Sequence, residues 1–286
     1  GKKNLYPFAE GGYGIQTIIS ETMRFYPVAL MTGTGFFMPE QAPLEQVINM
    51  QTLTGKGIDT IPLVWFDNSN PQQYLGLLNN LNKATLLVLH PYENINEKVY
   101  AISPEILMML NDKSNLLLIS ENIPKREIMS VQDYLSGKGP SNSHVLKKKT
   151  GAAGDDVKIV NGISKEEIET FLGFDEKVIV EQYIEAVQNY GIQFYISKSG
   201  ETYFVGHGEQ KTTPNGEFEG VLCHLAKEPP QKLYDIAENA AKKVSSYGYW
   251  GIAGFDILED KKGDFFLIDP NIRMTAATPI YVMKEV

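Results

Sequence analysis

Gly254-Phe255-Asp256-Ile257-Leu258 and Phe265-Phe266-Leu267-Ile268-Asp269-Pro270-Asn271-Ile272-Arg273 are two apolar segments that carry two acids, an amide and an arginine. Their spacing predicts a hairpin that turns at residues 260–263. Apolar strands rarely carry unpaired carboxylates, because burial of a charge without a partner costs several kcal/mol or more. The segments therefore predict a site as well as a strand pair.

Strand geometry brings the polar side chains of this hairpin together. Side chains two residues apart point the same way, so Asp269 and Asn271 share a face, which Arg273 joins if the strand continues. Asp256 lies on the partner strand and can face Asp269 across the hairpin. Mg²⁺ takes oxygen ligands and is usually held by one or two carboxylates together with phosphates. The residues alone leave two readings open, a Mg²⁺ site and a hairpin whose acids accept backbone hydrogen bonds.

The composition narrows the class of protein. The chain has 286 residues, enough for one large or two to three smaller domains, and a formal net charge of -9 with a pI near 5.1. This charge argues against a nucleic-acid or anionic-membrane partner, which would require clustered Lys and Arg. The single cysteine, Cys223, rules out an internal disulfide and fits a buried thiol in a reducing compartment, so we expect a cytoplasmic protein. We expect neither a membrane span, which needs roughly 18 apolar residues, nor a signal peptide.

The first hundred residues alternate between strand and helix patterns. Residues 28–37, 60–66 and 84–89 are predicted strands, and 43–53 is a helix between the first two. Strand, helix, strand indicates a parallel sheet with crossover helices. The glycines at 11–14 precede a helical pattern and are interpreted as a plain turn rather than a phosphate cradle, because no strand precedes them.

The remaining residues carry a different pattern. A helix begins at Ser103-Pro104, and Ser164 with Glu167 predicts a capping box at the start of another. The other predicted elements are a hairpin of 144–149 with 157–160, a strand at 178–180, a hairpin of 191–196 with 202–205, and a helix at 229–247.

Two further segments suggest nucleotide binding. His144 to Lys149 reads as a strand that ends in lysines and runs into a loop of small residues from Gly151 to Asp156. Small side chains let backbone N–H groups approach a polyphosphate, and Lys adds a point charge, although an ordinary turn after a basic strand end fits equally well. The segment from Val178 to Glu185 could offer its backbone to an adenine edge, but any edge strand could look similar.

In this order the segments resemble the ATP-grasp superfamily of ATP-dependent ligases, clearly from Ser103 to Arg273 and more weakly before it. The resemblance implies a fold of the α/β and α+β class. An N-terminal α/β pre-ATP-grasp domain would span 1–102, and a two-lobed ATP-grasp domain would span 103–286, with a small lid lobe at about 140–180 and a larger lobe at 181–286.

The resemblance also implies a set of site residues. Arg273 would be the catalytic residue that stabilises the acyl-phosphate, and Lys147 would reach the α-phosphate, with Lys148 standing where the family has Pro. Glu181 would accept a hydrogen bond from the adenine amino group, and Gln193 stands where many members carry a ribose-binding Glu. The metal ligands would be Asp256, Asp269 and Asn271. The other nucleotide contacts would be Lys113, the lid residues Gly151, Ala152, Ala153 and Gly154, the backbone of Tyr183 and Ile184, and Lys211.

The activity implied by the resemblance is ATP-dependent ligation. A carboxylate takes the γ-phosphoryl group of ATP to give an acyl-phosphate, and an amine then displaces phosphate, so ADP and phosphate are released. We expect ATP and Mg²⁺, or Mn²⁺ in its place, with a small carboxylate and a small amine, such as amino acids or a peptide, as partners. A homodimer is left open. The alternatives are an ATP-grasp enzyme with a thiol or bicarbonate acceptor, and a non-catalytic ATP-binding sensor or scaffold.

Overall fold

The computed structural model describes residues 3–6, 15–33, 35–40, 42–56, 61, 63–67, 76–80, 84–86, 95–149, 156–213 and 218–284. The chain divides into two units, one of Gly1–Met108 with Arg273–Val286 and one of Met109–Ile272. Among the described helices, none combines the length and the apolar character that a membrane crossing requires.

The strands, and the helices with six or more described residues, follow one another along the chain. In chain order they are β1 (Lys3–Tyr6), α1 (Ile15–Thr32), β2 (Gly35–Pro39), α2 (Leu44–Thr54), β3 (Leu63–Phe66), β4 (Ala84–Leu86), α3 (Pro104–Asn111), a 3₁₀ helix (Lys113–Leu118), β5 (Arg126–Ser130), β6 (His144–Lys147), β7 (Val157–Val160), α4 (Lys165–Leu172), β8 (Lys177–Gln182), β9 (Ala186–Ile196), β10 (Thr202–Thr212), β11 (Phe218–His224), α5 (Gln231–Ser246), β12 (Gly251–Asp260), β13 (Phe265–Asn271) and α6 (Thr278–Met283).

The first unit contains the predicted parallel sheet. Its described strands pair in the order β3-β2-β1-β4, and each pair is parallel. Helices α1 and α2 pack together, and the buried core between helix and sheet includes Tyr26, Phe36, Met38 and Val47. The helix predicted at 43–53 and the parallel sheet are confirmed, whereas the identity of this unit as a pre-ATP-grasp domain stays a prediction.

One predicted strand in this unit is wrong over half its length. Residues 28–32 belong to helix α1, and the strand begins only at Gly35. Val28, Ala29 and Leu30 are all buried, so this end of the helix lacks the polar face that gives a helical period in the sequence. A short run that is apolar on every side cannot be told from a buried strand by periodicity. The glycines at 11–14 lie outside the described residues.

The second unit contains two antiparallel sheets. The smaller has the order β5-β8-β6-β7, and the larger has the order β11-β10-β9-β12-β13. Helix α4 begins with the predicted capping box, in which the Ser164 hydroxyl accepts from the Glu167 N–H and the Glu167 carboxylate accepts from the Ser164 N–H. The predicted hairpin of β6 and β7 is confirmed.

Helix α5 packs against one face of the larger sheet, and the candidate site lies on the opposite face. Its predicted inward residues Leu233, Ile236, Ala240 and Val244 are buried. The Tyr234 ring packs against Phe194, with ring centroids 5.4 Å apart. Strands β9 and β10 extend well beyond the predicted hairpin, to Ala186 and Thr212. Polar residues that alternate with the packed ones therefore point away from α5.

Candidate active site

Strands β12 and β13 form the hairpin predicted from the sequence, with one irregularity. Asp256 lies directly opposite Asp269, and Gly254 lies opposite Asn271. The register shifts between Asp256 and Ile257, which pairs with Leu267, so Ile268 is the extra residue of a β-bulge. The bulge lets both aspartates lie on the sheet face opposite helix α5. The prediction that the two acids face each other is therefore confirmed.

The Asp256 carboxylate accepts hydrogen bonds from two amides. Gln210 Nε2 donates to Oδ1 at 2.6 Å, and Asn271 Nδ2 donates to Oδ2 at 3.1 Å. Burial, followed by the nearby charge of Asp269, raises the pKa of Asp256 to about 6, and the two amide donors oppose the rise. Among the described residues, the charge of Lys113 acts on Asp256, but no cationic side chain forms an ion pair with it.

Asp269 has one carboxylate oxygen in an ion pair and one without a donor among the described residues. Its Oδ2 lies 2.7 Å from Lys113 Nζ, whereas its buried Oδ1 accepts no hydrogen bond from any residue that the structure describes. The described residues contain no group of three or more His, Cys, Asp or Glu side chains placed to hold a metal, so this site offers two carboxylates and an amide. That set fits Mg²⁺, which takes one or two carboxylates and completes its shell with waters and phosphates. An orphaned carboxylate oxygen is the feature that a cation would satisfy.

Lys113 is buried and paired with two acids. Only 4% of the residue is exposed, and its Nζ lies 2.5 Å from Asp156 Oδ2 and 2.7 Å from Asp269 Oδ2. Burial alone would lower the pKa of this ammonium group, but the carboxylates of Asp269 and Asp156 outweigh burial and raise it above the ordinary value. The ammonium group therefore stays charged beside the acid pair.

Lys147 and Glu181 join a second buried set of charges with Arg126. Lys147 Nζ lies 2.7 Å from Glu181 Oε1 and donates to the Ile268 carbonyl at 2.9 Å. Arg126 Nη2 lies 2.7 Å from Glu181 Oε2, and Arg126 Nη1 donates to the Lys113 carbonyl at 2.8 Å. Burial lowers the pKa of the Arg126 guanidinium, and the Glu181 carboxylate opposes this. Lys113 and Lys147 thus both reach β13, at two successive residues.

The adjacent residues Lys147 and Lys148 point in different directions. Lys147 points inward and is 4% exposed. Lys148 points outward, lies 3.2 Å from Asp175 and stacks over the Phe171 ring at 5.2 Å. Lys148 directly follows the last residue of β6, and successive side chains of an extended chain point to opposite faces, which accounts for this difference.

The other predicted nucleotide contacts fall in three places. Gln193 is buried on the same face of β9 as Gly191, and Tyr183 and Ile184 follow β8, with Tyr183 partly exposed. The Lys211 side chain is 59% exposed and its Nζ lies 3.8 Å from Glu209, so it is not part of the buried sets, and its phosphate contact stays a prediction. The lid residues Gly151, Ala152, Ala153 and Gly154 lie outside the described residues.

Arg273 does not continue strand β13, which ends at Asn271. Ile272 is fully buried and its N–H donates to Asn111 Oδ1 at 3.1 Å, so the chain leaves the ladder there. Arg273 belongs to the first unit, where its Nη1 donates to the Met274 carbonyl at 3.3 Å. The expected strand alignment of Arg273 with Asp269 is wrong, and its catalytic role stays a prediction.

Sequence reasoning missed three residues of this set: Arg126, Asp156 and Gln210. Arg126 stands on β5, whose sequence shows no recognisable pattern. Its partner Glu181 stands on β8, and only the pairing of β5 with β8 brings the two residues together. Gln210 faces the side of β10 opposite to Lys211, but nothing local in the sequence marks its contact with Asp256, which stands two strands away.

A comparison with known protein families identifies the family to which this chain belongs. Residues 124–271 match a family model described as "L-aspartate--L-methionine ligase, ATP grasp". The chain belongs to this ATP-grasp family. The matched segment begins just before Arg126 and ends at Asn271, so it contains every residue of the two buried charge sets except Lys113. The prediction of an ATP-grasp carboxylate–amine ligase is confirmed at the level of the family.

Solved structures share the ATP-grasp fold with this family member. An L-amino acid ligase from Bacillus licheniformis has a TM-score of 0.65 at 15% identity, covering 100% of this chain and 71% of its own. An N5-carboxyaminoimidazole synthetase from Staphylococcus aureus, solved with ADP, has a TM-score of 0.64 at 14% identity over 99% of this chain and 77% of its own. A biotin carboxylase domain from Hydrogenobacter thermophilus, solved with MgADP and bicarbonate, has a TM-score of 0.64 at 14% identity over 99% of this chain and 69% of its own. At these identities the likeness shows the fold, and the predicted fold class is confirmed.

Proposed function

We propose that this ATP-grasp ligase joins two amino acids through an amide bond at the expense of ATP. The family is described by the ligation of L-aspartate to L-methionine, so this pair is the first candidate. The observation that carries the proposal is the orphaned Oδ1 of Asp269, which lies in an acid pair beside the buried ammonium group of Lys113. Such a set suits a triphosphate with its cation.

The proposed reaction consists of two successive displacement steps. A carboxylate oxygen of one amino acid attacks the γ-phosphorus of ATP, the bond to the bridging oxygen breaks, and ADP leaves. The amine nitrogen of the other amino acid then attacks the acyl carbon, the bond to phosphate breaks, and the amine loses a proton. No side-chain nucleophile of the protein is needed, so its contribution is position and charge.

The lysines and Glu181 have roles in this scheme that their geometry supports. Lys113 and Lys147 are held at successive residues of β13, so their ammonium groups can contact a polyphosphate beside the acid pair. Both oxygens of Glu181 already meet cations, yet each oxygen has a second lone pair with which to accept from an adenine amino group. Tyr183 and Ile184 would complete the base contact through their backbones, and Gln193 would bind ribose hydroxyls.

Asp256, Asp269 and Asn271 fit Mg²⁺, and Mn²⁺ would suit the same oxygens. When bound there, the cation would neutralise phosphate charge. The chain's own part is to hold the two carboxylates face to face across β12 and β13, which the bulge at Ile268 achieves. We keep Arg273 as the proposed residue for the acyl-phosphate, on the resemblance alone.

A sensor or scaffold that binds ATP without turnover is the competing function. It gives no reason for two adjacent carboxylates with an orphaned oxygen, because like charges held together without a cation cost free energy. Turnover does give a reason, since charge changes on the transferred phosphoryl group require fixed opposite charges.

The proposal is tested by ADP release from ATP with Mg²⁺ and pairs of the twenty amino acids, followed by mass spectrometry of the product. We expect ADP release to depend on two amino acids together, with a product mass equal to their sum less one water. The matched control is Asp269→Asn, which keeps the shape of the side chain and removes the charge. Tight ATP binding without ADP release on any pair would favour the sensor and refute the ligase.

A further inference from the structure

Gln210 reaches across a neighbouring strand to contact Asp256. It stands on β10, and Asp256 stands on β12, with β9 between them. Its Nε2 nevertheless lies 2.6 Å from Asp256 Oδ1. A side chain usually meets its neighbour on the next strand, so a contact over an intervening strand needs an open path.

The path exists because the intervening position is Gly191. This residue pairs with Asp256 on one side and with Gly208 on the other. A Cβ at position 191 would lie 3.0 Å from Gln210 Nε2 and 3.8 Å from Asp256 Oδ1, which is too close to the amide nitrogen. The backbone of Gly191 does not have a positive φ, so its conformation does not require glycine. The absence of a side chain instead leaves room for the Gln210 amide.

The amide suits a carboxylate that must remain available to a cation. A carboxylate oxygen has two lone pairs, so the bond from Gln210 fixes Oδ1 and leaves it a further acceptor site. A lysine here would neutralise Asp256, whereas a neutral amide orients it and preserves its charge. The other donor to Asp256 is Asn271, which is itself one of the proposed metal ligands. Gln210 is therefore the donor that does not compete for the cation.

We propose that Gln210 is a positioning residue that aims the Asp256 carboxylate at the divalent cation, and that Gly191 is glycine to let the amide pass. This inference rests on the proposed metal site of the ligase. Partners that hold a metal ligand in place typically matter about 10- to 100-fold for metal affinity. Loss of this one hydrogen bond corresponds to the lower end, because Asn271 still holds Oδ2.

The test measures Mn²⁺ affinity from the electron paramagnetic resonance signal of free Mn²⁺, with protein alone and with saturating ADP. Gln210→Ala is expected to raise the Mn²⁺ Kd about 10-fold with little change in the midpoint of thermal unfolding. Gln231→Ala is the matched control, because it removes a 2.7 Å bond from a glutamine amide to Asp235 on the exposed surface of α5. An unchanged Kd in Gln210→Ala, with Mn²⁺ still bound by the parent protein, would overturn this inference and leave the ligase proposal intact. No Mn²⁺ binding by the parent in either condition would overturn both.

Gly191→Ala tests the path without touching the donor. The conflicting atom is the end of a flexible side chain that must shift by a few tenths of an ångström, so the protein should fold and the Kd should rise, by no more than the about 10-fold of Gln210→Ala. If both changes break the same bond, the double variant should match Gln210→Ala within about 2-fold. Independent effects that multiply to about 100-fold would show that Gly191 does not act through Gln210, and would refute the proposed path.

Discussion

Replacing Arg126 with Met should remove the cation that sequence reasoning overlooked. The guanidinium is buried, with 5% of its side chain exposed, and it meets Glu181 Oε2 at 2.7 Å and the Lys113 carbonyl at 2.8 Å. Met has a similar length and no charge, so the change leaves Glu181 with Lys147 as its remaining ion partner. The change also removes the hydrogen bond from Arg126 Nη1 to the buried Lys113 carbonyl.

The magnitude follows from these two losses. Removal of one partner of a buried ion pair costs about 3–5 kcal/mol, and a lost hydrogen bond to a carbonyl costs about 1 kcal/mol. Lys147 still compensates Glu181, so we expect a total loss near the lower limit, about 3 kcal/mol of the free energy of unfolding. Because a domain has about 5–15 kcal/mol in all, the variant should fold but unfold at clearly lower urea.

Urea unfolding followed by tryptophan fluorescence measures this loss in the second unit. The chain has two tryptophans, so Trp65→Phe leaves Trp250 as the reporter within the unit that contains Arg126. Lys242→Met is the control, since its 2.7 Å pair with Glu238 on α5 is exposed and should be worth about 0.3–0.5 kcal/mol. A loss in Arg126→Met no larger than in the control would refute the reasoning about the buried pair.

A second criterion asks whether Arg126 acts through Glu181. In the double variant Arg126→Met with Glu181→Gln, the uncompensated carboxylate is gone. The double variant should therefore lose less stability than the sum of the two single changes, by about 1 kcal/mol or more. Additive losses would show that the cost comes from packing or from the Lys113 carbonyl.

Three other changes address the acid pair and the buried histidine. Asp269→Asn should abolish ADP release while the far-ultraviolet circular dichroism stays that of the parent, and activity that persisted would refute the metal assignment. Asp256 must lose its proton to bind a cation, and burial raises its pKa to about 6, so Mn²⁺ affinity should increase as the pH rises through 6. About half a proton should be released on binding at that pH, and less at higher pH. Calorimetry in two buffers checks this, and proton release independent of pH would contradict it. His207 is 1% exposed and its pKa is lowered to about 4, first by burial and then by the charge of His224. The unfolded chain therefore takes up the proton first, so stability should fall as the pH drops from about 6.5 toward 4, and His207→Gln should remove this part of the pH dependence of urea unfolding.

Much of the fold follows from local patterns in the sequence. The capping box at Ser164 and the apolar stripe of α5 depend on residues within a few positions of one another, so they were read correctly. The strand at 28–37 failed because α1 is buried on all sides near its end, and a helix without a polar face has no period to read.

The site was predicted from the sequence only in part, for a different physical reason. The opposition of Asp256 and Asp269 depends on one hairpin, which the sequence encodes by its turn and its alternation. The contacts of Lys113 with Asp269, and of Lys147 with Ile268, join residues more than a hundred positions apart. No local pattern records such a pairing. Arg126 and Gln210 show the same limit, since their partners stand on strands that only the folded sheets bring near.

The β-bulge at Ile268 lets Leu267 and Asp269, which are two residues apart, point to opposite faces of the sheet. An even ladder over the same residues would pair Ile268 with Asp256 and Asp269 with Phe255, which turns every following side chain of β13 to the opposite face. The carboxylate of Asp269 and the amide of Asn271 would then lie on the face that packs against helix α5. The turn of residues 261–264 carries no such constraint, because its side chains are largely exposed. Natural or engineered length variation in this hairpin should therefore be confined to the turn.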